Sequence, residues 1–200
     1  MRNIILVGAG GHCKSCIDVI EKEKKYKILG LVDNKKKGKF LKYRILGKDS
    51  NLEKFRNTAK YALVTIGQIK NYSARAKLFN KLISLNFKIP SIISPISYVS
   101  KYSTLEEGTI IMHGCVINAG SVIGTNCIIN TRSIIEHDVF IGSNCHISTG
   151  VIINGGAKIG KNTFIGSGVV IKNNISIGNN CIIGMKTIVK RDIADNEIVK

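Results

Sequence analysis

From Val99 to Val189 an aliphatic residue recurs at every sixth position, 16 times without a break. Four residues after each comes a small or β-branched side chain, as at Ser103, Thr109, Cys115 and Ser121. Gly and Asn cluster between them, as in Gly142-Ser143-Asn144 and Gly178-Asn179-Asn180, and both tolerate the left-handed backbone of tight corners. A period of six suits neither a helix nor hairpins spaced about 8–12 residues apart. It suits a solenoid of very short parallel strands in which each hexad forms one side of a prism and three hexads close a coil. The aliphatic residue and its small partner point inward and stack on the next coil. Sixteen hexads make about five coils, a prism roughly 26 Å long at ~4.8 Å per coil.

The first 90 residues carry a different pattern. Residues 2–7 (RNIILV) predict a buried strand. Gly8-Ala9-Gly10-Gly11-His12 predicts a glycine turn that opens a helix over 12–25, with Ile17, Val19 and Ile20 at helical spacing. Residues 27–32 predict a second strand ending at Asp33-Asn34, and residues 61–66 another ending at Gly67. A helix is predicted over 71–86, with Ala74, Leu78, Leu82 and Leu85 on one face. This alternation predicts a small Rossmann-like α/β domain over 1–90 and an all-β parallel β-helix over 91–200, with Pro90 and Pro95 at the junction.

The last position of each hexad faces outward, yet two of the three columns are apolar. One reads Val116, Ile134, Ile152, Val170, Ile188; another reads Ile110, Ile128, His146, Phe164, Ile182. The third turns polar after Val122 and Phe140, with Lys158 and Ser176. Two apolar edges on so thin a prism predict burial against other copies, and three sides packing on one another predict a trimer.

The net charge of +17 is uneven: residues 1–100 hold 21 Lys and Arg against 6 Asp and Glu, and residues 101–200 hold 9 against 7. A basic first half favours phosphorylated ligands. Lys24-Lys25 and Lys35-Lys36-Lys37 lack interleaved aromatics, so nucleic acid is not the expected partner. Apolar runs are too short for a membrane span, and no signal-peptide pattern opens the chain, so a cytoplasmic protein is expected. Cys115, Cys127, Cys145 and Cys181 fall at the small inward position. Cys13 and Cys16 stand as C-x-x-C without a second pair, so neither zinc nor redox chemistry is expected of them and no metal is needed.

Two places carry candidate chemistry. Backbone N–H groups of Gly10, Gly11 and His12 open a helix, which favours a phosphate. Asp33 closes the next strand, where a carboxylate can meet ribose hydroxyls. Together they predict a nucleotide site, with a purely structural turn as the alternative. In the repeat, His137 sits at an outward corner with Asp138 beside it. Its stack neighbours are Ala119 one coil before and Gly155 one coil after, which leaves room beside the imidazole. His146 is the polar member of an apolar column. His113, another outward corner residue, reads as surface.

The repeat resembles that of the hexapeptide-repeat acyltransferases, whose prism is a left-handed β-helix. The glycine turn GAGGH, the strand ending VDN and the segment NTRSIIEHDVFIGSNCHISTGVIINGGAKIG together resemble the family of sialic acid O-acetyltransferases and bacterial nucleotide-amino-sugar N-acetyltransferases. The resemblance covers both domains. It implies that acetyl-CoA is the cosubstrate and the assembly a homotrimer. It implies His137 as general base, Asp138 as its polarising partner, and His146 with the Gly155 N–H as contacts to the acetyl group. It implies Gly11, His12 and Asp33 as contacts to a nucleotide sugar. Cys13 departs from the family, which has glycine there, and the family's Gly-x-Pro-Ala-Lys tail has no counterpart in these 200 residues. The expected function is acetyl transfer to the amine of a nucleotide-linked amino sugar in bacterial glycan synthesis. The alternatives are a sugar O-acetyltransferase and a catalytically inactive nucleotide-binding trimeric scaffold.

Overall fold

The structure is a computed structural model and describes residues 1–69 and 71–200. A five-stranded sheet forms the first domain. Strand β1 (Arg2–Val7) lies at its centre, parallel to β2 (Tyr26–Val32) on one side and β5 (Tyr61–Val64) on the other. Strand β4 (Tyr43–Gly47) extends the sheet beside β2, and β3 (Lys39–Phe40) pairs antiparallel at the edge. Ile4, Ile5, Leu6 and Val7 have no exposed surface, as a continuous apolar run covered on both faces requires. Helix α1 (Gly11–Glu23) buries Cys13, Cys16, Ile17, Val19 and Ile20. Burial drives both thiols up, Cys13 to about 11, so they are inert core residues.

Helix α2 (Ser73–Ser84) departs from its predicted orientation. Its buried residues are Arg75, Phe79 and Leu82, while Ala74 is exposed and Leu78 half-buried. The apolar stripe lies about one residue round from the reading of the sequence, because a charged residue occupies the core-facing position. Arg75 is 1% exposed, and its head satisfies backbone carbonyls that would otherwise be orphaned. Nη1 donates to Val64 O (2.8 Å) and Ile66 O (3.0 Å), and Nε donates to Asn126 O (3.2 Å).

The repeat folds as a triangular parallel β-helix of two-residue strands, each pairing with its counterpart one coil on, as in Val116↔Ile134 and Ile128↔His146. It is longer than the unbroken repeat. Ile92–Ile93 adds a strand before it, and Ile198–Val199 adds one after it through a shortened last coil in which Ile182 pairs with Ile198. The aliphatic position is sealed throughout its middle, from Ile111 to Ile171. Corners take positive φ at Asn126, Asp138, Asn144, Asn162 and Asn180 (55 to 63°). Along one corner the asparagines also bond coil to coil: Asn126 Nδ2 donates to Asn144 Oδ1 (2.8 Å), and Asn162 Nδ2 donates to Asn180 Oδ1 (2.9 Å).

The three outward columns have different fates. The upper part of one is covered by the chain's own first domain, which buries Ile110, Ile128 and His146. The expectation that this edge meets another copy is therefore corrected for these coils: Gln68 Nε2 donates to Asn144 O (2.9 Å) and Arg75 reaches Asn126 across the same seam. His113 is not surface noise either. Its Nε2 lies 2.6 Å from Asp18 Oδ2 of α1 and its Nδ1 lies 2.6 Å from Ser94 Oγ, so it ties the two domains together. In the column Tyr98, Val116, Ile134, Ile152, Val170, Ile188 none is fully buried: the four middle residues are half-buried, and Tyr98 and Ile188 are both at least 60% exposed.

Candidate active site

Two clefts flank the glycine turn. One, of about 380 Å³, is lined by Gly8, Asp33, Asn34, Asp49, Ile66 and Lys77 among others. The other, of about 560 Å³, lies in the seam between the domains and is lined by Gly11, His12, Ser15, Gly67, Asn130 and His146 among others. Gly8 and Ile66 wall the first, Gly11 and Gly67 the second, so the two lie on either side of the glycine turn. Gly10 and Gly11 leave open space where a Cβ would stand, and no side chain caps the helix. Its first N–H groups are thus free for an anion.

Asp33 has a different first task from the one read in the sequence. Its Oδ2 accepts from Ala9 N–H (2.8 Å), and Oδ1 accepts from Lys35 (2.8 Å) and Lys36 (2.9 Å). It pins the glycine turn to the end of β2. Partial burial pushes its carboxyl up, but the N–H bonds from Ala9, Lys36 and Lys35 outweigh that and hold it below the usual carboxylate range.

The His12 ring points away from the helix start, into the seam. It lies 6.4 Å from the His146 ring, and its Nε2 is buried without a partner among the described residues. His146 Nδ1 bonds the Gln68 carbonyl, Asn130 Nδ2 lies 3.4 Å from its Nε2, and Phe164 meets its ring edge-on at 5.3 Å. Burial first, then the charges of Arg75 and His146, drives His12 down to about 3. Burial first drives His146 down to about 4; the Gln68 carbonyl opposes this and the Arg75 charge adds to it.

These depressed values make stability depend on pH. Folded His12 and His146 take up protons only well below the ordinary value of 6.5, whereas the unfolded chain takes them up near it. The folded state therefore loses stability as pH falls below about 6.5, and neither group affects it above. Between pH 7 and pH 5 the loss is about 2 kcal/mol per histidine. Urea midpoints at both pH values, for the native chain and for His146→Gln, check this. The variant's midpoint should fall less; an equal fall in both contradicts it.

His137 lies on the far side of the same coil, at the corner after Ile134–Ile135, while His146 is on the strand facing the first domain. The structure does not bring the two together in one chain. His137 Nδ1 donates to Asp138 Oδ2 at 2.8 Å, so in the neutral ring the lone pair falls on Nε2. The ring lies over Gly155: a Cβ there would stand 2.6 Å from Nε2. The space read in the sequence as room for a substrate is thus occupied by the imidazole itself. Gly120, which the sequence reading passed over, does the same for Asp138, since a Cβ there would collide with Oδ1. The Gly155 N–H has no partner among the described residues. In one chain the pair is open to water, the His137 side chain 64% exposed and that of Asp138 70%.

Residues 3–82 match the PglD N-terminal domain model. Residues 132–158 match a hexapeptide repeat of succinyl-transferase, and residues 156–191 match the bacterial transferase hexapeptide repeats. No curated protein sequence matches. Among solved structures, a histidine-to-asparagine variant of perosamine N-acetyltransferase from Caulobacter crescentus, in complex with CoA and GDP-perosamine, superimposes with a TM-score of 0.94 at 29% identity. The match covers 99% of this chain and 93% of that one. The acetyltransferase domain of PglB from Neisseria gonorrhoeae, in complex with acetyl coenzyme A, superimposes with a TM-score of 0.93 at 26% identity, covering 98% and 95%. The chain is thus similar, over both of its parts, to bacterial hexapeptide-repeat sugar acetyltransferases. The prism is accordingly a left-handed β-helix like that of these structures, which hold CoA or acetyl coenzyme A. Among the described residues no helix of the chain is long and apolar enough to cross a membrane. None of its described His, Cys, Asp and Glu side chains gather, three or more together, as a metal site would.

Proposed function

We propose that the chain transfers the acetyl group of acetyl-CoA to the amine of a nucleotide-linked amino sugar, with His137 as general base. The observation that carries this is the corner where His137 Nε2, freed by the Nδ1–Asp138 bond, meets Gly155 with its unpaired N–H. A base and an oxyanion donor side by side are what aminolysis of a thioester requires. The neutral amine attacks the carbonyl carbon as His137 takes a proton from the nitrogen. The Gly155 N–H holds the developing oxyanion. The C–S bond then breaks, and the proton passes to the departing CoA thiolate.

The relatives' ligands support the choice of acceptor: one is bound to GDP-perosamine and CoA, the other to acetyl coenzyme A. In this chain the nucleotide half falls to the clefts beside the glycine turn. The N–H groups from Gly10 through His12 take the diphosphate, and Asp33, which holds that turn, keeps one lone pair for a ribose hydroxyl. The expected surroundings are the bacterial cytoplasm, where acetyl-CoA and nucleotide sugars are made.

A homotrimer completes the reading. The column from Tyr98 to Ile188 is apolar and nowhere fully buried, and His137 stands in open solvent with no wall to exclude water. Packing that column on a second copy covers it and supplies a wall at the corner. It also brings His137 of one copy towards the seam cleft of the next. Light scattering should give three times the chain mass of 21.8 kDa. Ile152→Asp should give a folded monomer that releases no CoA thiol from acetyl-CoA with any amino-sugar nucleotide. A fully active monomer would contradict the assembly.

A further inference from the structure

The cleft on the other side of the glycine turn from the seam has apolar walls and a polar rim. Ile66, Ala74 and Leu78 supply the walls, and Asp33, Asn34 and Asp49 stand along the rim. A flat heteroaromatic ring suits such a slot, because its faces are apolar and its edge is polar. The position suits a nucleobase too. The sugar must lie towards the prism, where the acetyl chemistry is, and the free N–H groups of the turn suit the diphosphate. The nucleoside is then left to the side of Asp33.

Asn34 and Asp49 are locked to each other on this rim. The Asp49 N–H donates to Asn34 Oδ1 (3.1 Å), which turns Asn34 Nδ2 to the carboxylate, where it donates to Oδ2 (2.7 Å). Neither residue is placed by chance. Asn34 directly follows Asp33, which pins the turn, and Asp49 opens the 3-10 helix Asp49–Phe55. Among the described residues these bonds leave three groups unspent: the second hydrogen of Asn34 Nδ2, a further lone pair on Asp49 Oδ2, and the whole of Asp49 Oδ1. Along the pair they run donor, acceptor, acceptor.

Guanine carries the complement on one edge: the O6 acceptor, then the N1–H and N2–H donors. A carboxylate that takes both N–H groups makes a charge-assisted fork. Uracil and thymine carry O4, N3–H and O2, so a carbonyl oxygen falls against Asp49 Oδ1. Cytosine and adenine put a bare ring nitrogen where the edge needs a donor. The rim therefore attracts one base and repels the others, which is how specificity is built.

We infer that Asp49, held in place by Asn34, selects guanine, so that the acetyl acceptor is a GDP-linked amino sugar. This rests on the proposed acetyl transfer to a nucleotide-linked amino sugar. Asp49 takes no part in the chemical step; it acts on which nucleotide is bound.

Calorimetry on the native protein with free GDP, IDP, UDP and dTDP reads the base alone. GDP should bind about tenfold more tightly than UDP and dTDP, and IDP, which lacks the N2 amino group, should fall between. UDP or dTDP binding as tightly as GDP overturns the inference. In Asp49→Asn the new amide oxygen keeps the Asn34 bond, and the new amide nitrogen sets a donor against the guanine edge. GDP should then bind about tenfold more weakly than to the native protein, with UDP within about twofold of it. An unchanged ratio of GDP to UDP affinity, or a loss shared equally by both, overturns the inference. Failure of the proposed function reads differently. A GDP preference without acetyl transfer to any amine overturns that function and leaves the base assignment standing. Acetyl transfer to a UDP- or dTDP-linked amino sugar alone does the reverse, and a protein that binds none of the four diphosphates overturns both.

Discussion

Replacing His137 with alanine is expected to lower kcat by a factor of about 10³, within the range a general base contributes. The reason is the proton. An attacking amine becomes cationic as the C–N bond forms, and it collapses back to reactants unless that proton leaves. Among the described residues the other groups at the corner are otherwise engaged: the Asp138 carboxylate is turned to Nδ1, and Gly155 offers an N–H. Because His137 is exposed and packs no core, the variant should keep its assembly and its affinity for acetyl-CoA. Steady-state CoA release, measured with light scattering on the same preparation, checks both parts. A kcat within about tenfold of the native value removes His137 as the base. Asp138→Asn should cost less, since it leaves the base in place and loses only the partner that fixes its tautomer.

The second large effect is expected from one added methyl group. In Gly155→Ala the new Cβ would stand 2.6 Å from His137 Nε2 and 2.7 Å from Cε1, inside any tolerable contact. Gly155 does not occupy the positive-φ region, so the backbone accepts alanine and the strain falls on the ring. The ring packs no core of its own chain, so it gives way, moving off Asp138 and away from the substrate. A displacement of about 1 Å costs about 10²-fold in rate, so kcat should fall by that order. The Gly155 N–H is kept, which separates the position of the base from the oxyanion donor. Activity close to native would show that the ring need not lie over residue 155.

Much of the fold could be read before any coordinates, for a definite physical reason. A β-helix repeats the same environment once per coil, so its inward positions write a period into the chain, and the Ile and Val columns are that period. The βαβ alternation was legible because β1 carries the unbroken apolar run Ile4–Val7 and Asp33 and Gly67 punctuate strand ends. The orientation of α2 was not. A stripe reading places charge outside, and Arg75 is inside because three backbone carbonyls near the seam need donors. The short β3–β4 hairpin carries too few residues to show a pattern of its own.

The candidate site divides in the same way. His137, Asp138 and Gly155 are coupled through the coil-to-coil stack, so spacing alone places them together. Gly120 follows from the same arithmetic, one coil before Asp138, and could have been found by it. Gln68, whose carbonyl meets His146 Nδ1, is 78 residues from it and belongs to the other domain. His113 has its partner 95 residues away on α1. Contacts across the seam depend on how two separately folded units dock, and no periodicity records that. For the same reason one apolar column, read as a surface for another copy, is partly the landing site of the chain's own first domain.

The most direct test of the central claim is acetyl transfer itself. The native protein would be incubated with acetyl-CoA and, one at a time, with GDP-, UDP- and dTDP-linked amino sugars and with free sialic acid. Thiol release would be followed, and products identified by mass spectrometry. The account predicts that one amino-sugar nucleotide gains a single acetyl group on nitrogen, with matching CoA release that is lost in His137→Ala. Acetylation of a sialic acid hydroxyl with no transfer to any amine would contradict it. So would a native protein that binds acetyl-CoA and nucleotide yet transfers to none of the acceptors.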